Sequence, residues 1–296
     1  MIVGARPRFK QIIIEVWKPL TILFVWDVAV TAFHMMTPIK EPPLPTALFG
    51  TAIALFMGFR TNAAYARWWE ARTLWGALIN ASRSLARITR SLTKGEPEGS
   101  EMRHNIILRQ IAFAHSMRCQ LRRQSPYEEI GRIAGTDVAD MAVARLNPAN
   151  ALLEDISGIY ADALAEGRIT EIQQATVERV LIDIANAQGG MERIKNTPLP
   201  REYAYYPTLF VHAFCILLPI GLVDSLTIFT PLASTVVGFM LLAMDRIGAD
   251  LQNPFANRPH DVPLTSICRT IQIDLEQLLG KTATAKPVQP VANILW

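Results

Sequence analysis

A stretch of the chain at residues 42–75 begins apolar and becomes polar without any signal for a helix end in between. No charged side chain occurs within residues 42–59, a length sufficient to cross a hydrocarbon core of about 30 Å at about 1.5 Å per helical residue. Charges begin at Arg60, yet Gly58 is the only weak helix former nearby and the next proline is Pro97. The stretch therefore predicts one helix that leaves a membrane and continues into water.

One face of this helix carries a narrow apolar stripe. Thr51, Leu55 and Phe59 recur every four residues and so lie on one face, while the neighbouring faces carry small side chains that permit close helix packing. Two interpretations are open. The stripe lines an axis shared by several copies of the chain, or it packs against another helix of the same chain.

Composition indicates a protein that is partly in lipid and partly in water. Half of the 296 residues are apolar and 19% are charged. The net charge of +3, with 26 acidic residues among 29 basic ones, gives no reason to expect nucleic acid as a partner. Three widely spaced cysteines without a CxxC motif predict neither a disulfide framework nor a zinc site.

Three further stretches are long and apolar enough to span a membrane, which gives four spans with residues 42–59. Residues 19–36 form the first, and residues 203–223 and 225–244, separated only by Asp224, predict a tight hairpin kinked at Pro219 and Pro231. Asp27 interrupts the first span. It is either satisfied at a helix–helix contact or a carboxylate on an ion pathway.

The distribution of basic residues predicts that both termini lie in the cytoplasm. Four basic residues precede the first span, Lys40 alone lies in the first connection, and none lies at the hairpin. The N-terminus lacks a short apolar run ending in a small-residue cleavage site, so we do not expect a secretory signal.

The remaining segments predict a large helical region in water. Amphipathic helices are expected at residues 78–92, 101–123 and 265–279, with two or three brief helices within residues 126–167. Thr170 and Gln173 form a capping box that starts a helix, which is expected to run to Ala187 and stop at Gly189 and Gly190. The tail from residue 281 to residue 296 is expected to be ordered only if it docks.

These segments predict an all-α membrane protein with four parts. Residues 1–75 hold the first two spans, residues 76–200 form a cytosolic helical region, residues 201–250 form the hairpin, and residues 251–296 form a closing cytosolic helix and tail.

The polar end of the long helix resembles the second-helix signature of the bestrophins, in the bacterial branch. The resemblance continues in the family's order through Thr197–Pro200, Phe214 with Cys215, and Asn253–Phe255. The residues that carry it in the long helix are Gly58, Phe59, Arg60, Asn62, Tyr65, Arg67, Trp68, Trp69, Glu70, Arg72 and Trp75.

The resemblance implies a homopentameric ion channel in the bacterial inner membrane, surrounded by lipid and passing small monovalent ions. In a closed ring every side chain that faces the axis is repeated in each copy. Thr51, Leu55 and Phe59 are then the hydrophobic neck of the pore, which conducts only while wet.

The resemblance also implies a second constriction, at the cytosolic end, on the helix that starts at Thr170. The residue in the aperture position is Ala175, which is smaller than the aliphatic residue expected there and predicts a wider exit. Glu171 and Glu178 lie on the same helical face. Rings of these carboxylates concentrate cations, whereas Arg60 below the neck favours anions if it faces the axis. Sodium or potassium conduction is slightly favoured, with chloride conduction as the alternative.

No cofactor and no calcium activation are expected. Animal bestrophins carry an acidic cluster just after an Asn-Pro-Phe motif, whereas Asn253-Pro254-Phe255 is followed here by Arg258 and the single carboxylate of Asp261. One carboxylate does not supply the several hard oxygen ligands that Ca²⁺ requires.

No motif for an enzyme is present. Residues 280–282 resemble the end of a P-loop, but Leu275 stands where that motif requires glycine, and no GxSxG or HExxH occurs. A non-conducting membrane scaffold is the alternative from another class. A secondary transporter is disfavoured because no inverted repeat is visible.

Overall fold

The computed structural model describes residues 1–3, 9–38, 44–93, 97–280 and 285–296. Lys40, on which the predicted orientation of the termini depends, lies outside these ranges, as do residues 281–284 of the predicted tail. Within them the chain is helical, with no strand beyond isolated bridges near the termini. The helices are α1 (Phe9–Met36), α2 (Thr46–Leu92), α3 (Pro97–Leu121), α4 (Tyr127–Ala134), α5 (Thr136–Val143), α6 (Pro148–Ala165), α7 (Glu171–Asn196), α8 (Arg201–Leu226), α9 (Thr230–Leu251) and α10 (Leu264–Leu278).

The chain forms two compact units. One, which we call the apolar unit, comprises Gly4–Trp68 and Pro198–Asn253. The other, the polar unit, comprises Met1–Val3, Trp69–Thr197 and Pro254–Trp296. The 47-residue helix α2 belongs to both, as expected for a helix whose sequence turns from apolar to polar at Arg60 without a break.

The core of the apolar unit contains side chains from all four of its helices. Val16 and Leu23 of α1, Ile53 and Met57 of α2, and neighbours from α8 and α9 are buried together. Asp27 is buried in the same unit and accepts hydrogen bonds from Ser234 Oγ (3.0 Å) and Thr235 Oγ1 (3.2 Å) of α9. Of the two interpretations of Asp27, the structure confirms the satisfied helix–helix contact.

The tip of the predicted hairpin lies three residues later than expected. Helix α8 continues through Asp224 to Leu226, and a 3₁₀ turn, Thr227–Phe229, connects it to α9. Thr227 adopts a positive φ of 45°, which reverses the chain. Pro231 does not kink a helix, because it lies in the first turn of α9, where its missing N–H has no helical partner to lose. Pro219 does lie inside α8.

One helical stretch within the described residues passes a test of length and apolar composition for crossing a membrane. It is Arg201–Leu251, which contains an 18-residue window with a mean hydropathy of 2.0, and it includes both α8 and α9.

The polar unit is built around α3 and the second half of α2. Trp75, Leu78 and Leu85 of α2 are buried, as are Ile111 and Met117 of α3. The capping box predicted at Thr170 is present, with Gln173 N donating to Thr170 Oγ1 and Thr170 N donating to Gln173 Oε1. Helix α10 confirms the amphipathic helix predicted at residues 265–279, and it begins and ends one residue earlier than predicted.

The prediction that α7 stops at Gly189 and Gly190 is wrong. The helix continues to Asn196, and a Cβ atom on Gly190 would lie 2.8 Å from Cδ1 of Leu74 on α2. A glycine at this position lets α2 and α7 approach closely, and it does not end the helix.

Alanine at these two neighbouring glycines is expected to have opposite effects. Nothing lies within 4 Å of a Cβ atom on Gly189, so Gly189→Ala gains helix propensity and raises the free energy of unfolding by about 0.5–1 kcal/mol. Gly190→Ala crowds Leu74 and is expected to offset that gain or exceed it, since overpacking costs about 1–3 kcal/mol. Thermal unfolding in detergent micelles checks both. Equal stabilisation by the two substitutions would contradict the close approach of α2 and α7.

The described part of the C-terminal tail docks within the polar unit. Ile294 forms an antiparallel bridge with Ile2, and the carbonyl of Trp296 accepts a hydrogen bond from Ser266 N at the start of α10 (2.7 Å). This agrees with the expectation that the tail is ordered where it has a surface to bind.

A buried ionisable group in the polar unit makes stability depend on pH. His115 is 2% exposed, and its Nδ1 lies 3.4 Å from Oε2 of Glu129, which also pairs with Arg118 and Arg132. Burial lowers the pKa of His115, so the fold favours neutral imidazole. The neighbouring imidazole of His115, and then the two arginines, hold the pKa of Glu129 well below its usual range.

Acid is therefore expected to destabilise the polar unit through both groups. A depressed histidine pKa contributes stability above the unfolded value of about 6.5 that is lost as the pH falls, and Glu129 adds a further loss below about pH 4.3. The thermal midpoint of wild type should fall more steeply than that of His115→Gln between about pH 7 and pH 5. Glu128→Gln, a neighbouring exposed carboxylate, is the control and should leave the slope unchanged. Parallel slopes for wild type and His115→Gln would contradict the assignment.

Candidate functional site

The first half of α2 has a buried face and an exposed face. Ile53, Met57, Arg60 and Ala64 are buried and recur with the three- and four-residue spacing of one helical face. Thr51, Leu55 and Phe59 lie on the opposite side and are exposed.

The exposed stripe is apolar although it makes few contacts within its own chain. Leu55 is 58% exposed and Phe59 is 54% exposed. The hydroxyl of Thr51 donates to the carbonyl of Ala47 (2.8 Å), so its proton is used within the helix. More than half of each large side chain is exposed, so packing against another helix of the same chain does not account for the stripe.

Gly58 lies beside the stripe in open space. Nothing lies within 4 Å of a Cβ atom built on it. Packing within the chain therefore does not require glycine at this position, in contrast to Gly190.

Arg60 lies on the buried face, with its guanidinium paired inside the apolar unit. The side chain is 3% exposed and forms an ion pair with Asp245 of α9. Thr208 of α8 joins the pair, because Arg60 Nη1 donates to its Oγ1 (3.2 Å) and that hydroxyl donates to Oδ1 of Asp245 (2.8 Å). The pair connects three helices and largely neutralises Arg60, so Arg60 presents no free positive charge on the exposed stripe.

The other residues of the family signature lie further along α2. Arg67 Nε donates to the carbonyl of Gln252 (2.9 Å), which ties α2 to the end of α9. Trp68 is stacked with Tyr65 at 6.3 Å between ring centroids. Asn62 and Trp69 are exposed.

The predicted cytosolic aperture lies on α7, where the three named residues differ in their surroundings. Ala175 and Glu171 are exposed. Glu178 is half-buried and accepts a hydrogen bond from Ser157 Oγ of α6 (2.7 Å), so one of its oxygens is engaged within the chain. Ile172 is 81% exposed on the same side as Ala175 and is an apolar candidate that the sequence analysis did not name.

Asp245 and Thr208 are the functional-site residues that sequence reasoning missed. Asp245 is the first charge after an uncharged run of span length, and this position was a usable signal for a partner to Arg60. The sequence did not reveal that the two elements, 185 residues apart, are neighbours.

No cluster of three or more histidine, cysteine, aspartate or glutamate side chains suited to a metal ion occurs among the residues that the structure describes. Asp261 is buried, and its Oδ2 accepts a hydrogen bond from Arg258 N (3.0 Å). Burial raises the pKa of Asp261 despite that hydrogen bond.

Comparison with known proteins shows to which family the chain is similar. A family model described as "Bacterial/Fungal Bestrophin protein" matches residues 8–277. The voltage-dependent anion channel-forming protein YneE of Salmonella typhi is 35% identical over 271 residues, which cover 90% of this chain and 88% of that protein. YneE of Escherichia coli K12 is 34% identical over 283 residues, 95% of this chain and 92% of that protein.

A solved structure has the same fold. The crystal structure of a bacterial bestrophin homologue from Klebsiella pneumoniae superposes with a TM-score of 0.85 at 29% identity, covering 90% of this chain and 99% of that chain. The family resemblance inferred from the α2 residues is thereby confirmed, and the chain belongs to the bestrophin family, in its bacterial and fungal branch.

Proposed function

We propose that this protein is a bestrophin-like ion channel in which five copies surround a central pore. The observation that carries the proposal is the exposed apolar stripe of α2. Thr51, Leu55 and Phe59 lie opposite the face that packs within the chain, so they can line the axis of a ring of copies. In such a ring they form a hydrophobic neck that gates by dewetting.

The membrane arrangement is part of the same proposal. We infer four spans from α1, the first part of α2, α8 and α9, with both termini in the cytoplasm of a bacterium and the channel in its inner membrane. The basic residues before the first span support this arrangement, as do the uncharged runs of α2, α8 and α9 and the run of α1, which Asp27 alone interrupts. The polar unit is then cytosolic.

Anion conduction is the better-supported ion preference. The curated relatives are named voltage-dependent anion channel-forming proteins, and those names give no support to the cation preference predicted from the sequence. One argument for cation conduction is also weaker in the structure, because Glu178 accepts a hydrogen bond from Ser157 within the same chain. Exposed Glu171 remains the specific observation in favour of cations.

Planar bilayer recordings under a steep NaCl gradient test the function and the ion together. An anion channel gives unitary currents that reverse near the chloride equilibrium potential, and this is the expected result. Reversal near the sodium potential, shifted toward zero by Glu171→Gln, would establish the cation alternative. Glu128→Gln is the matched control, since it removes an exposed carboxylate outside α7. Absence of unitary current from correctly assembled protein would favour the scaffold.

We also propose that calcium does not gate the channel by binding to the segment after Asn253. Asp261 is engaged by the backbone of Arg258, and Arg258 lies in the same segment. Such a site lacks the several carboxylates that Ca²⁺ requires. Calorimetry of the purified protein with CaCl₂ is expected to show no tight binding, and saturable tight binding abolished by Asp261→Asn would refute this part.

A further inference from the structure

A surface cavity of about 350 Å³ is lined by residues of α2 and α8 in the apolar unit. Its size falls at the lower end of the range for small-molecule sites. Its walls are mainly aromatic. The rings come from Phe56, Phe59, Tyr203, Tyr206 and Phe210.

The rings are arranged as a connected wall. Phe210 stacks with Tyr206 at 6.1 Å between centroids and 20° between planes, and it meets Phe56 at 6.2 Å and 56°. The two contacts orient the three rings around Phe210. Faces of phenyl and phenol rings carry partial negative charge and attract cations that are only weakly hydrated.

The charged groups of the cavity add up to a net negative charge. Arg60 contributes to the lining, but Asp245 neutralises it by an ion pair. Glu202 also lines the cavity, and no cation in the described part of the chain forms an ion pair with it. A cation in the cavity would pair with this carboxylate, whereas an apolar occupant would not.

We propose that this cavity binds a small soluble quaternary ammonium ion of the size of choline. The aromatic rings take the methylated ammonium group, and Glu202 supplies the opposite charge. Because Phe59 belongs both to the cavity and to the neck, an occupied cavity would also alter conduction, and that second consequence rests on the proposed channel function.

The test measures binding without any current. Ligand-observed saturation-transfer NMR follows the N-methyl signal of choline on the full chain in a maltoside detergent. Saturable binding is expected for choline and not for 3,3-dimethyl-1-butanol, which has the same shape without the charge. Tyr206→Leu and Glu202→Gln are each expected to weaken binding about tenfold, whereas Tyr206→Phe retains the ring and the affinity.

Tyr65→Leu is the matched control, because Tyr65 is an exposed tyrosine of the apolar unit that does not line the cavity. Equal binding of choline and the neutral alcohol would reduce the site to an apolar pocket and overturn the proposal. So would absence of saturable binding, as expected if a neighbouring subunit fills the cavity. Loss of choline binding only in phosphatidylcholine nanodiscs would assign the cavity to lipid headgroups. The binding results do not depend on conduction. If the protein is not a channel, the same binding results are still expected.

Discussion

Replacing Leu55 with glutamine is expected to raise the open probability of the channel on the order of tenfold. Leucine and glutamine have similar lengths, so the width of the neck changes little while its polarity changes strongly. Each copy then offers an amide to water at a position where wild type offers only an isobutyl group. A collar that stays wet conducts for a larger share of the time. Single-channel recording in planar bilayers measures the effect directly.

Two controls separate wetting from damage. Leu55→Met keeps an apolar side chain of similar volume and should leave the open probability near the wild-type value. Leu232→Gln places the same polar group on α9, at a residue that is 66% exposed and outside the stripe, and should not raise it. An unchanged open probability in Leu55→Gln, or an equal rise in Leu232→Gln, would show that Leu55 does not form the gate.

Removing the carboxylate of Asp245 is expected to be strongly destabilising. Asp245→Asn leaves the guanidinium of Arg60 buried without a counter-charge, and breaking a buried pair by removing one partner costs about 3–5 kcal/mol. The midpoint of thermal unfolding in micelles should fall accordingly. Combining Arg60→Met with Asp245→Leu removes both charges and should recover most of the loss, because well-packed apolar replacements of buried pairs are close to neutral.

An exposed ion pair of the polar unit provides the comparison. Arg83 and Asp274 are joined by a 2.6 Å contact, but the arginine is 48% exposed. Asp274→Asn should therefore cost about 1 kcal/mol or less. Equal losses from the two aspartate substitutions would contradict the buried role of the Arg60–Asp245 pair.

The sequence predicted the elements of the fold well where local chemistry decides them. The capping box at Thr170 marked a helix start, the uninterrupted pattern across Arg60 marked one continuous helix, and α10 followed its apolar spacing. Each of these signals depends on residues within a few turns of one another.

The sequence was less informative where a distant contact decides the surroundings of a residue. Gly189 and Gly190 resemble a helix end in sequence, but Leu74 on another helix explains the second glycine. Arg60 is a candidate pore charge in sequence until Asp245, 185 residues away, pairs with it. Glu178 is likewise engaged by Ser157 on a neighbouring helix. Periodicity gives the face of a helix, and only tertiary contacts tell what that face meets.

Electron cryomicroscopy of the full chain in lipid nanodiscs tests the central claim most directly. The account predicts a ring of five subunits whose narrowest point at membrane depth is lined by Thr51, Leu55 and Phe59 from every copy. Particles with a single subunit, or a ring whose axis is lined by α1, α8 or α9, would contradict it.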